Sequence, residues 1–286
     1  MSGRGKSRTS LALIDAAYRI YEQIHPASIR AGCYQLFNLK LIASMAKTET
    51  NRVSRLLRDA RDAGDLPWEW IVDESRHVER APQWRGLDSY AHAVQDSYRK
   101  DYWLQQPVQV LVASEKGTVR GTIAPILDKY GVPFRALHGY TSTTSVHDIA
   151  LETRDGVAAT IILYVGDHDP SGRHMSEVDL PRRLEKYGAW VDLRRIALTD
   201  NDVRDGSLPS FDVDTKEKDP RYQWFLRQHG SRCVELDALS PLVLRERLDT
   251  AIYDVIDQEA WERCALTERL ERQSINDLLA GWRGAA

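Results

Sequence analysis

The sequence is short of the features that place a protein quickly. It has only three cysteines, Cys33, Cys233 and Cys264, far apart in the chain. They offer neither a disulfide framework nor a metal-binding spacing, which fits a reducing cytoplasm. No apolar run is long enough to cross a bilayer, so no membrane span or membrane partner is expected. The opening "MSGRGKSRTS" is basic but lacks the apolar stretch of a signal peptide, and it reads as a solvated tail or as one that touches phosphates. Excess charge is missing too: 39 Lys and Arg stand against 42 Asp and Glu, a net of -3. Bulk attraction to nucleic acid is therefore excluded, and a nucleic-acid partner would need a local basic patch. No internal repeat, low-complexity segment or Gly-rich nucleotide loop is visible. What remains is 286 residues with 42% hydrophobic content, enough for one large domain or two ordinary ones.

The first 80 residues read as helical. Leu11, Ile14, Ala17, Tyr18 and Tyr21 recur at helical spacing over 9–24, and Pro26 ends the run. "ASIRAGCYQLFNLKLIAS" reads as a second helix with a turn near Asn38. A third starts at Thr48–Thr50 and runs through "NRVSRLLRDARDA" to Gly64 and Pro67. "PWEWIVD" alternates large residues like a short strand. Three helices and then a strand outline a winged helix-turn-helix over 1–80. The third helix carries Arg52, Arg55, Arg58 and Arg61, diluted by Asp59 and Asp62. A spacing of three drifts about 60° per step, so the arginines sweep round the exposed side. A solvated face and a DNA-contacting recognition helix explain Arg52, Arg55 and Arg58 equally well.

Residues 81–106 read as a connector helix, "LDSYAHAVQDSYRKDYWLQQ". The pattern then changes. "VQVLVAS", "VPFRALHGY", "AATIILYVGD" and "AWVDLRRIAL" are apolar strands, and helical segments separate them. Such alternation predicts a Rossmann-like α/β domain over 107–198, with a parallel sheet covered on both faces. Residues 199–286 read as a long polar loop followed by helices, one opening at Ser240 and Pro241. In the loop, Lys216, Lys218 and Arg221 are candidate DNA contacts, with a solvated loop as the plainer reading.

In open α/β sheets, functional groups gather at the carboxyl ends of strands. Glu115 follows the first strand in "VASEKGT", and Asp167 and Asp169 follow the third in "VGDHDPSG". If those strands are neighbours, three carboxylates share one edge. Oxygen ligands of this kind suit Mg²⁺. Gly117 and Gly172 leave room for backbone beside each acid. Asp169, before Pro-Ser-Gly, reads equally as a turn former and helix cap. His168 reads as a rim residue, and His138 as structural, or as a contact to phosphate or metal ligand.

"SEKGT", "HGYTSTTSVHDIA" and "VGDHDPSG" resemble the Toprim domain of the DNA-cleaving A chain of topoisomerase VI, a type IIB topoisomerase, and of the related meiotic double-strand-break protein. The resemblance covers roughly 25–200. It implies a winged-helix domain, then a Toprim domain, then a helical extension. It also implies Mg²⁺ at Glu115, Asp167 and Asp169. An Arg-x-x-x-Tyr pattern stands in "SIRAGCYQL". The family implies that Tyr34 attacks a DNA phosphate, forming a 5′-phosphotyrosyl link, with Arg30 beside that phosphate and Glu115 among the catalytic groups. It further implies a homodimer on duplex DNA, associated with the nucleoid, in which Tyr34 of one protomer meets the acids of the other. A separate GHKL-type ATPase chain is a further implied partner. The chain looks most like the free-standing short relatives called Mini-A. Cys33 before Tyr34 departs from the tandem aromatic residues that the family often has.

Three other readings stay open. A hydrolytic Toprim nuclease would use metal-activated water instead of Tyr34. A DNA-binding protein needing a partner would carry the same residues without cutting. Phosphatase-like chemistry on small molecules would leave the first 80 residues without a role. Tyr34 itself also reads as a core aromatic beside Leu36 and Phe37.

Overall fold

The computed structural model describes residues 7–72, 81–137, 143–156 and 158–283. The tail before residue 7, the segment after Val72 and His138 at the end of the second strand lie outside them.

Helix α1 (Arg8–Ile24) is capped by Ser7, whose hydroxyl accepts the Ser10 N–H at 3.2 Å. It buries Ile14, Ala17 and Tyr21 of the expected stripe together with Leu13 and Ile20, whereas Leu11 and Tyr18 of that stripe are exposed, so the buried face is rotated from the expected one. Strand β1 (Ala27–Ser28) leads into α2 (Ile29–Asn38), and α3 (Lys47–Asp62) follows. The turn expected near Asn38 is where α2 ends: Lys40 takes a positive φ of 58°, which no helix continues through, and residues 39–44 of the expected segment are not helical. The strand expected at "PWEWIVD" is mostly a 3₁₀ turn, Trp68–Trp70. Only β2 (Ile71–Val72) is extended, parallel to β1. Among the described residues there is no antiparallel wing hairpin.

Helix α4 (Leu87–Ser97) is shorter than the expected connector. Beyond it the chain is held by side chains of the last helix. The Lys100 N–H meets Glu268 at 3.1 Å, and the Lys100 ammonium meets Glu271 at 3.0 Å.

The sheet forms as the alternation predicts. It is built from β3 (Val108–Ser114), α5 (Val119–Tyr130), β4 (Phe134–Ala136), α6 (Thr143–Asp155) and β5 (Ala159–Val165). Then come α7 (Pro170–His174), α8 (Leu180–Lys186) and β6 (Val191–Arg195). The order is β4-β3-β5-β6, all parallel. Strand β5 is buried on both faces. Ile161, Leu163 and Val165 point to one core and Ile162 and Tyr164 to the other. Helix α5 and a C-terminal helix cover the first face, and α6 and α8 cover the second.

The single helix expected over 171–188 is interrupted by a π turn at Met175–Asp179. Pro181 has no N–H to give, so the ladder slips before α8 begins.

The long loop expected after 198 is structured. It contains α9 (Asp200–Asp205), β7 (Phe211–Asp212), a 3₁₀ turn at Val213–Lys216, α10 (Tyr222–His229) and β8 (Arg232–Cys233). Strands β7 and β8 pair antiparallel over a small core of Val213, Phe225 and Cys233. Helix α11 (Pro241–Tyr253) supplies Leu244, Leu248 and Ile252 to the sheet core, and α12 (Gln258–Arg283) closes the chain. No helix among the described residues is long and apolar enough to cross a membrane.

Candidate active site at the strand tips

Strands β3 and β5 are direct neighbours, with Ser114 opposite Val165. Glu115 and Asp167 therefore leave the sheet at one edge, as expected. The chain then turns at once into α7. Asp169 caps that helix, accepting the Gly172 N–H at 2.7 Å. Gly172 lies against the Asp167 carbonyl, where a Cβ would collide with it. Ser171 donates to Glu115 at 3.1 Å. Arg195 on β6 fixes the turn from beneath, donating to the carbonyls of Gly166, Asp167 and Gly172. Burial, then the nearby Arg173, pushes the Arg195 guanidinium down to about 10. Asp169 is thus both a helix cap and a strand-tip acid.

Two lysines neutralise the aspartates. The Lys116 ammonium lies 2.9 and 2.8 Å from the two Asp167 oxygens and 3.7 Å from Asp237. Lys216 approaches Asp169 at 2.5 Å. Burial works against both ammonium groups. The carboxylates outweigh it and hold both lysines above their ordinary range. Glu115 accepts from a hydroxyl, and among the described residues no lysine or arginine forms an ion pair with it, although the Lys116 charge draws its carboxyl down slightly. Burial, then the charge of Asp169, raises its carboxyl above the usual glutamate value.

The expected Mg²⁺ set can be tested against this arrangement. All three residues offer the hard oxygen donors such an ion takes. Their placement does not make them one ligand group. Among the described residues, no three of His, Cys, Asp and Glu are placed to hold a metal ion. The two lysines occupy oxygens that a cation would need. The residues as arranged do not fit the ion, so no step below passes through it.

Helix α2 enters the site from the N-terminal unit. Ser28 caps it, accepting the Ala31 N–H at 3.0 Å, and donates to Asp237 at 2.7 Å. Arg30 and Tyr34 are four apart and share a face. Arg30 forks onto Glu235, with Nε on one oxygen and Nη2 on the other, the latter at 2.5 Å. Tyr34 donates to Glu235 Oε2 at 3.3 Å. The next residue, Leu236, donates its N–H to Asp167 at 2.8 Å. The tyrosine and the acids thus lie on one short path within a single chain. Within the chain the Tyr34 hydroxyl bonds Glu235 directly and reaches Asp167 only through the next residue. Tyr34 is 5% exposed and packs with the sheet core, not with Leu36 in the helical core. Burial, then the charge of Glu235, raises its phenol well above the ordinary value, so it is protonated at neutral pH.

Other expected residues lie apart from this cluster. Arg52 pairs with Glu49 at 3.0 Å and Arg58 with Asp59 at 2.7 Å, while Arg55 donates to the Asn51 carbonyl at 3.4 Å. His168 is not on the rim. It is 1% exposed, accepts from Arg173 at 2.7 Å, and its backbone pairs with Val234. Burial, then the charge of Arg173, pushes it down to about 3. Arg221 pairs with Asp219 at 2.7 Å. All three cysteines are free and buried.

Four residues of the cluster had no assigned role at the site from sequence: Lys116, Lys216, Glu235 and Asp237. Lys116 adjoins Glu115, a usable signal. The Glu-x-Asp of "CVELDALSP" was another, two acids just before a helix start.

No family model matches the chain, and no curated protein matches it.

Proposed function

We propose that this chain cleaves duplex DNA by transesterification, with the Tyr34 phenol as nucleophile. The observation that carries the reading is the single-chain path from Tyr34 through Glu235 and Leu236 to Asp167. A nucleophile, a guanidinium and strand-tip acids then serve one phosphodiester. The Tyr34 Oη–phosphorus bond forms as the bond to the 3′ oxygen breaks. The phenol proton passes to Glu235, and the 3′ oxygen leaves as a hydroxyl with a proton from solvent. Arg30 meets the negative charge that grows on the non-bridging oxygens.

On this reading residues 1–80 are a winged-helix DNA-binding unit and 107–198 a Toprim domain, as the resemblance implies. Arg52, Arg55 and Arg58 contact flanking phosphates. A homodimer would cut both strands, each chain using its own site. A separate ATPase partner and a place at the nucleoid come from the resemblance alone. Mg²⁺ at Glu115, Asp167 and Asp169 would require the lysines to withdraw.

The test uses supercoiled plasmid with and without Mg²⁺, stopped with SDS and run with and without protease. Nicked or linear DNA that enters the gel only after protease, and is lost in Tyr34→Phe and Asp167→Ala, is the expected result. A second reading, hydrolysis by water, is favoured by the burial of Tyr34. Cutting that survives Tyr34→Phe but needs Asp167 would select it. Cutting that appears only with Mg²⁺ would show that a cation displaces the lysines.

A further inference from the structure

The best-formed ion pair at the site joins Arg30 to a carboxylate of its own chain. Its fork geometry is the one a guanidinium uses for a phosphate. Tyr34 donates to one of the same two oxygens. The donors expected to receive DNA are therefore already satisfied by Glu235.

The backbone on either side of Glu235 is fixed. Val234 pairs in both directions with His168 at 2.9 Å, and Leu236 is tied to Asp167 at 2.8 Å. The Glu235 side chain is the part of this segment that meets Arg30 and Tyr34. It is 22% exposed, and the Arg30 side chain is 43% exposed, so DNA can reach the pair from solvent. The local charge opposes that approach. Five acids, Glu115, Asp167, Asp169, Glu235 and Asp237, outnumber the four cations Arg30, Lys116, Lys216 and Arg195.

We infer that Glu235 sits in the phosphate seat as a built-in anion, and that a DNA phosphodiester must displace it to engage Arg30 and Tyr34. This rests on the reading of Arg30 and Tyr34 as the phosphate-facing pair. Glu235 would then set the threshold for DNA entry; displaced from the Arg30 fork but kept within reach of the Tyr34 hydroxyl by its fixed backbone, it would take the phenol proton.

The test measures equilibrium binding of a fluorescent mixed-sequence duplex by anisotropy at one fixed salt concentration. A Tyr34→Phe background prevents covalent capture. Glu235→Gln and Glu235→Ala should each bind about tenfold tighter than the background, the order expected for removing one partly exposed competing charge. Glu185→Gln, an exposed acid on α8, controls for bulk charge and should change affinity by less than about twofold. Adding Arg30→Ala to Glu235→Gln should abolish the gain. Unchanged or weaker binding in both Glu235 variants would overturn the inference, and so would no binding in any variant or a gain that survives loss of Arg30. A wild type that forms no covalent adduct would refute the cleavage reading alone, because this measurement involves no cleavage.

Discussion

Helix α3 and the strand tips both concentrate charge, but they settle it differently. On α3, Arg52, Arg55 and Arg58 find partners one to four residues away. At the strand tips, Arg30 reaches across 205 residues, Lys116 across 51 and Lys216 across 47. Local pairs on an exposed helix add little to stability and leave the arginines available to a partner. Long-range pairs between half-buried groups exist only in the folded chain, and they bind its segments together. A charged stretch that pairs with itself is a surface. One that pairs across the chain is a site.

The contrast can be strained from both ends. The largest effect is expected at His168, whose ring is buried against Phe225 and accepts from Arg173. His168→Ala should cost about 3 kcal/mol in urea unfolding, from lost packing and an orphaned donor. The same residue gives a pH signature. Its folded value is about 3, against 6.5 for the free side chain. The unfolded chain therefore takes up the proton first. Its contribution is complete above pH 6.5 and is lost as pH falls toward 3. The stability slope in that window should be shallower in the variant. An unchanged slope would show that His168 does not hold the tip as a neutral ring.

Lys216→Ala comes next. It strands the Asp169 carboxylate, which is 5% exposed. Because Lys216 is itself partly in water, a loss of ~2 kcal/mol is expected, less than for a fully buried pair. Ser28→Ala removes the α2 cap and the tie to Asp237, for about 1 kcal/mol. Arg55→Ala and Arg58→Ala should leave the unfolding midpoint where it is and weaken binding of any duplex equally, with a smaller salt dependence. A marked loss of stability in either would collapse the distinction between the two regions.

The sheet was legible because its signals are long. Strands β3 and β5 each run seven mostly apolar residues without a charge, and the acids at their ends follow from chain order. The segment after Leu198 was not. Helix α9 has six residues and α10 has eight, too short for a periodic stripe to stand out from a polar background. Their structure comes from long-range ties, such as β7 with β8 and Val234 with His168, which no local window contains. Lys216 and Glu235 reached the site by that route. Arg30 and Tyr34 were picked out through the resemblance, by its Arg-x-x-x-Tyr pattern. The carboxylate that holds them was not, being 201 residues beyond the tyrosine.

The central claim is that Tyr34 and the acids of one chain form one site. It is tested most directly by mixing Tyr34→Phe protein with Asp167→Ala protein, allowing protomers to exchange, and assaying protein-linked DNA beside the wild type. In the mixture every chain carries one defect. The account predicts that wild type forms the link and that the mixture forms no more than either variant alone. Recovery of linked DNA in the mixture would contradict it, because Tyr34 would then be working with the acids of a second chain.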